Sequence, residues 1–103
     1  MSEQKKFVVA SFEIDCRDNR PLPIYRIWLG DQLFGERCFD FWELWLQECL
    51  QILAPPGDYT LRVEGVNKDI SQFKLWNFQV EKGPAVFHPR EDHNSNEIIL
   101  EIQ

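Results

Sequence analysis

Apolar and polar residues alternate along most of this chain of 103 residues. In residues 7–16, one face would carry Val8, Ala10, Phe12, Ile14 and Cys16, and the opposite face mainly polar side chains. A period of two is typical of a strand with one buried and one solvated face, as in antiparallel sheets. The same alternation predicts strands over residues 58–66 and 97–103. Residues 24–29 are also predicted to form a strand, and residues 85–88 a short one.

Two local features refine this strand pattern. Gly30 and Asp31 follow the second predicted strand and predict a two-residue hairpin of type II′, because glycine adopts a positive φ without steric cost. Within residues 72–80 the apolar positions change parity between Leu75 and Trp76. Either both faces of that strand are buried, or a β-bulge reorients its second half.

The middle of the chain changes period and predicts an amphipathic helix over residues 40–53. At 100° per residue, its apolar side chains fill an arc of about 180°. Asp40 and Glu43 have the spacing of a capping box at the start of a helix. Pro55 would end the helix, because proline disfavours helical geometry in the preceding residue.

This predicted helix has more apolar surface than one face of a small sheet would cover. Exposed apolar surface of that size usually marks a partner surface, and tryptophan is enriched at the centres of interfaces. We therefore expect an interface formed by Trp42, Trp45, Leu46 and Leu50.

The combined elements predict a single domain, residues 1–103, that is mainly β. We expect an antiparallel β-sandwich of six to seven strands with one amphipathic helix. The alternative is an α+β fold, in which the helix packs on one antiparallel sheet.

The net charge of the chain excludes some classes of binding partner. The sequence has 11 basic and 17 acidic residues, and its net charge of −6 argues against a nucleic acid or an anionic membrane as the partner. No apolar run approaches the ~20 residues of a membrane span, and the N-terminus lacks the apolar segment of a signal peptide. A cytoplasmic protein is expected.

The three cysteines agree with a reducing compartment. Cys16, Cys38 and Cys49 are odd in number and form no close pair, which suits neither a disulfide framework nor a zinc site. Because each lies within an apolar pattern, we expect each to behave as a small buried hydrophobic residue. Cys38, next to Arg37, is the best placed of the three to act as a nucleophile.

The loop over residues 88–93 is the best candidate for chemistry. Its two imidazoles and two carboxylates could hold a divalent metal or supply a general base; they belong to His88, Glu91, Asp92 and His93. The five-residue spacing of the histidines does not match helical zinc ligands, which are four residues apart. A solvated polar loop explains the same residues.

A short stretch resembles a known family. Residues 56–63, PGDYTLRV, are similar to the turn and strand of prealbumin-like and other immunoglobulin-like sandwich modules. The resemblance implies a β-sandwich that serves as a binding or spacer module, and it carries over no catalytic residue.

The sequence thus favours a non-catalytic protein-interaction module that forms a homodimer or docks a partner protein, with no cofactor. Two alternatives stay open: a small metal-dependent or thiol enzyme that uses the 88–93 loop and Cys38, and a domain that binds a small ligand in an aromatic-lined pocket.

Overall fold

The structure, a computed structural model, describes residues 4–17, 22–38, 46–92 and 94–103. These residues form eight strands and one short 3₁₀ helix. In chain order they are β1 (Lys6–Cys16), β2 (Ile24–Leu29), β3 (Gln32–Cys38), β4 (Leu46–Ala54), β5 (Gly57–Gly65), the 3₁₀ turn Ile70–Gln72, β6 (Phe73–Lys82), β7 (Ala85–Phe87) and β8 (Glu97–Ile102).

The strands form two antiparallel sheets. The smaller sheet has the order β4-β1-β6, and the larger has the order β3-β2-β5-β8-β7. One hydrophobic core joins them, with residues such as Phe12 and Leu50 from the smaller sheet and Ile27 and Leu100 from the larger. Within the described residues, the prediction of a mainly β, sandwich-like protein is confirmed.

The predicted helix is wrong over residues 46–53, which form strand β4. This strand pairs with β1 along its whole length, from Lys6 opposite Ala54 to Ile14 opposite Leu46. The alternation was hidden by two exceptions: the polar Glu48 lies on the inner face, and the apolar Leu53 lies on the outer face. Residues 40–45 of the predicted helix lie outside the described residues.

The β2–β3 hairpin confirms the turn prediction. Leu29 pairs with Gln32, so that Gly30 and Asp31 form a two-residue loop. Gly30 has a φ of 59°. Asp31 does not share a positive φ, which excludes a type I′ turn and agrees with type II′.

The change of parity in β6 arises from a β-bulge. Ser11 pairs with Gln79 and Glu13 with Trp76, so one residue of β1 is opposite two of β6. Asn77 takes up the extra length with a φ of 56°, a conformation that asparagine tolerates better than most residues. The bulge lets the neighbouring Phe78 pack against the core.

The cysteines do not share one environment. Cys16 is buried, as expected, whereas Cys38 and Cys49 are exposed, so the prediction of burial is wrong for these two. Cys49 is exposed because β4 is a strand, whose odd-numbered residues face away from the core.

Candidate functional site

The two open sheets have four edge strands among the described residues: β4 and β6 in the smaller sheet, and β3 and β7 in the larger. An edge strand presents a row of unpaired backbone N–H and C=O groups, which can pair with a strand of another chain. Proteins that stay monomeric block their edges with bulges, charges, prolines or very short strands.

Three of these edges have such features. Strand β3 contains a register shift opposite Ile27 and Trp28 and two charged residues, Glu36 and Arg37. Strand β7 has only three residues. Strand β6 has two register shifts against β1, and lysines in both halves, Lys74 and Lys82.

Strand β4 differs from all three. Its nine residues keep an unbroken register with β1 and include no proline, lysine or arginine. Its outward-facing residues are uncharged; they are Gln47, Cys49, Gln51 and Leu53. Strand β4 is therefore the edge best suited to pair with another strand.

The one charged residue of β4, Glu48, is satisfied within the chain. Its side chain points into the core and is 10% exposed. The Tyr25 hydroxyl donates a hydrogen bond to one carboxylate oxygen, and Arg37 Nε donates to the other at 3.3 Å. Burial, followed by the hydrogen bond to Glu48, raises the pKa of Tyr25 above its ordinary value. Pairing at the β4 edge would consequently not desolvate a new charge.

The contact between Arg37 and Glu48 depends on the glycine at position 35. Gly35 and Arg37 are two residues apart and point to the same face of β3. A Cβ atom at Gly35 would overlap Arg37 Nη1, so the guanidinium crosses the space that a larger residue would fill. The hydrogen bonds of Tyr25 and Arg37 to Glu48 therefore connect β2 and β3 of the larger sheet with β4 of the smaller sheet.

The predicted interface residues do not form one exposed face. Leu50 is 3% exposed and belongs to the core, and Leu46 packs against the core while partly buried. Trp42 and Trp45 lie outside the described residues. The sequence reasoning missed an exposed apolar pair, Phe7 (45% exposed) and Leu53 (62% exposed), which are register partners on the outer face of β1 and β4.

A second cluster involves His88, although with other partners than the sequence suggested. Asp58 and Glu101 are directly opposite each other on β5 and β8. The Nε2 atom of His88 lies 2.7 Å from Glu101 Oε1, and one potential ligand atom from each of the three residues falls within 4.8 Å of the others. His88 also lines a pocket of about 410 Å³ together with Arg90 and Ile99.

Neither carboxylate of the 88–93 loop joins this cluster within the described residues. Glu91 and Asp92 are exposed, and Asp92 accepts a hydrogen bond from the backbone N–H of Asn94. His93 lies outside the described residues. Of the candidate residues His88, Glu91 and Asp92, only His88 thus belongs to the cluster.

The strand order also separates Cys38 from His88. Cys38 ends β3 and His88 follows β7, and these strands are the opposite edges of the larger sheet. Three strands lie between them, which corresponds to about 19 Å at the usual spacing of ~4.8 Å. These two residues are too far apart for a thiolate–imidazole pair.

Comparison of the chain with protein-family models, with curated proteins and with solved structures finds no match. Among the described residues, no helix has the length and apolar character needed to cross a membrane.

Proposed function

We propose that this chain is a protein-interaction module that self-associates, through antiparallel pairing of the β4 strands of two copies. The observation that supports the proposal is the edge of β4, which is nine residues long, regular and, among the described residues, without the blocking features of the other three edges. Pairing would produce one six-stranded sheet in the order β6-β1-β4-β4-β1-β6.

Charge does not oppose a second copy at this edge. The chain has a net charge of −6, so two copies repel each other over most of their surfaces. The β4 edge presents no charge to a partner, because Glu48 is turned inward and bound by Tyr25 and Arg37. Two acidic molecules can therefore approach each other closely at this edge.

The sequence of β4 is also compatible with its own two-fold copy. A two-fold axis at Leu50 would place Gln47 of one copy opposite Leu53 of the other, and Cys49 opposite Gln51. No like charges then oppose each other, and the exposed side chain of Leu53 gains a partner. A single strand pair buries little area, so we expect a dimer that dissociates on dilution.

The test compares two glutamine-to-lysine substitutions by sedimentation velocity over a range of protein concentrations. Gln51→Lys lies on the exposed face of β4, and Gln79→Lys lies on the exposed face of β6 in the same sheet. In the register described above, the ammonium groups introduced by Gln51→Lys in the two copies would be diagonal neighbours, on strand positions about 7–8 Å apart. We expect Gln51→Lys to weaken the dimer and Gln79→Lys to leave it unchanged.

A wild-type chain that stays monomeric at every concentration would contradict the proposal. An equal effect of both substitutions would contradict it as well, since the result would then reflect net charge and not the β4 edge. Circular dichroism of each variant verifies that the sheets remain folded.

A further inference from the structure

The Asp58, His88 and Glu101 side chains come from three segments that the larger sheet brings together. Asp58 and Glu101 are register partners on β5 and β8. His88 follows β7, and its backbone N–H donates a 2.9 Å hydrogen bond to the carbonyl of Ile99, which fixes it beside β8. The positions of all three residues are therefore set by strand pairing and not by one flexible loop.

The electrostatics of this arrangement favour a bound cation. Like charges directly opposite each other on neighbouring strands destabilise a sheet, and Asp58 and Glu101 are such a pair. The His88 ring lies against Glu101, and it places imidazole nitrogens, which bind a metal when deprotonated, beside the two carboxylates. A divalent ion held by all three groups would turn the repulsion into attraction.

We propose that Asp58, His88 and Glu101 bind a divalent transition-metal ion of the Zn²⁺ class. Bonds of ~2.0–2.1 Å in tetrahedral geometry place ligand atoms on the order of 3.3 Å apart. The three potential ligand atoms already lie within 4.8 Å of one another. Closing the site requires relative shifts of about 1.5 Å or less, and the exposed side chain of Asp58 is able to rotate.

The donor set selects the class of metal. One imidazole nitrogen with two carboxylate oxygens suits Zn²⁺ and its neighbours in the first transition row, whereas Mg²⁺ and Ca²⁺ prefer oxygen alone. Three protein ligands leave a fourth tetrahedral position for water. The site is consequently an open one at the protein surface, unlike a closed structural zinc site.

Isothermal titration with Zn²⁺, after treatment with a chelator and its removal, tests the assignment. We expect one Zn²⁺ per chain, and a loss of affinity greater than about tenfold in both Glu101→Gln and His88→Gln. Glu91→Gln is the matched control, because it makes the same charge change as Glu101→Gln on the exposed neighbouring loop. It should bind Zn²⁺ as the wild type does.

Two further variants separate this site from other sources of binding. A Cys38→Ser/Cys49→Ser chain should keep the wild-type affinity, since the exposed thiols take no part in the site. The Gln51→Lys variant should also bind Zn²⁺ as the wild type does. The proposals of a metal site and of a β4 dimer are therefore tested independently. Zn²⁺ should shift the imidazole NMR signals of His88.

Three results would overturn the assignment: no binding of Zn²⁺ up to about 1 mM, binding that the double serine variant loses and Glu101→Gln keeps, or Mg²⁺ and Ca²⁺ binding as tightly as Zn²⁺. The second result would place the ion on the thiols. The third would identify a carboxylate pair without a role for His88.

Discussion

Tyr25 on β2 donates its hydroxyl hydrogen to the carboxylate of Glu48 on β4, and this hydrogen bond joins the two sheets through the core. Both residues are buried. Buried polar groups are costly unless they are paired, so each of these two residues requires the other. The contact specifies how β4, which the sequence alone assigns to a helix, sits against the larger sheet.

Removal of this hydroxyl should be destabilising. Tyr25→Phe keeps the ring but leaves the buried Glu48 with one fewer donor, which should lower the free energy of unfolding by about 1–3 kcal/mol. Urea denaturation measures the change. Replacing both partners, in Tyr25→Phe/Glu48→Leu, should recover part of the loss, because no buried acceptor is then left unpaired. A double variant less stable than Tyr25→Phe alone would contradict this account.

Tyr25 should also make the free energy of unfolding decrease at alkaline pH. Burial, with the hydrogen bond to Glu48, raises the pKa of Tyr25 in the folded chain above its unfolded value of about 10. Above that pH the unfolded chain loses a proton that the folded chain keeps, so the stability is full below about pH 10 and falls as the pH rises.

The expected difference is up to about 1.4 kcal/mol per pH unit between the wild type and Tyr25→Phe. Parallel urea titrations of both chains across the alkaline range measure it. Parallel pH slopes for the two chains would show that Tyr25 ionises equally in the folded and unfolded states.

Gly35 should affect the stability of the chain only through the position of the Arg37 side chain. Gly35→Ala places a Cβ where Arg37 Nη1 now lies and should displace the guanidinium from Glu48, at a cost of about 0.5–1.5 kcal/mol for the weakened, partly buried contact. In an Arg37→Ala background the same substitution should have little effect. The free energies of unfolding of the wild type, the two single variants and the double variant form a double-mutant cycle. Additive effects would mean that Gly35 acts on its own backbone and not on Arg37.

A pair of leucines tests the strand assignment of β4. Leu50→Ala should destabilise the chain by about 2–5 kcal/mol, because Leu50 is in the core. Leu53→Ala should change stability by less than about 0.5 kcal/mol, since that side chain is largely exposed. On the apolar arc of the predicted helix both leucines would lie on the same side, so similar losses for the two variants would support the helix.

The strands that the sequence predicted well have simple surroundings. In β1 and β5, apolar side chains at alternate positions face one core, so a period of two suffices to identify them. The parity change in β6 was also visible in the sequence, but only the structure decides that a bulge, and not burial of both faces, causes it.

Strand β4 could not be identified in this way. Its inner face includes Glu48, which is tolerated only because Tyr25 and Arg37, 23 and 11 residues away, reach it across the core. Its outer face includes the exposed Leu53. Both exceptions obscure the period of two, and the remaining apolar positions then fit a helical period.

The Asp58–His88–Glu101 cluster was only partly predictable. His88 was named as a potential metal ligand, but the partners proposed for it were its neighbours in sequence. Its actual partners come from β5 and β8, and they meet it through the register of two strand pairs. The signal available in the sequence was the acidic character of those two strands, which by itself is common on exposed sheet faces.

The amino-acid sequence by itself determined where most strands run, where the β2–β3 hairpin turns and where the apolar parity of β6 changes, because each depends on contacts among residues close in the chain or on one uniform core. The tertiary structure alone decided that residues 46–54 are an edge strand and that His88 lies beside Asp58 and Glu101. Both depend on pairing between distant segments, whose register is fixed by the burial of a whole sheet face and not by any local preference.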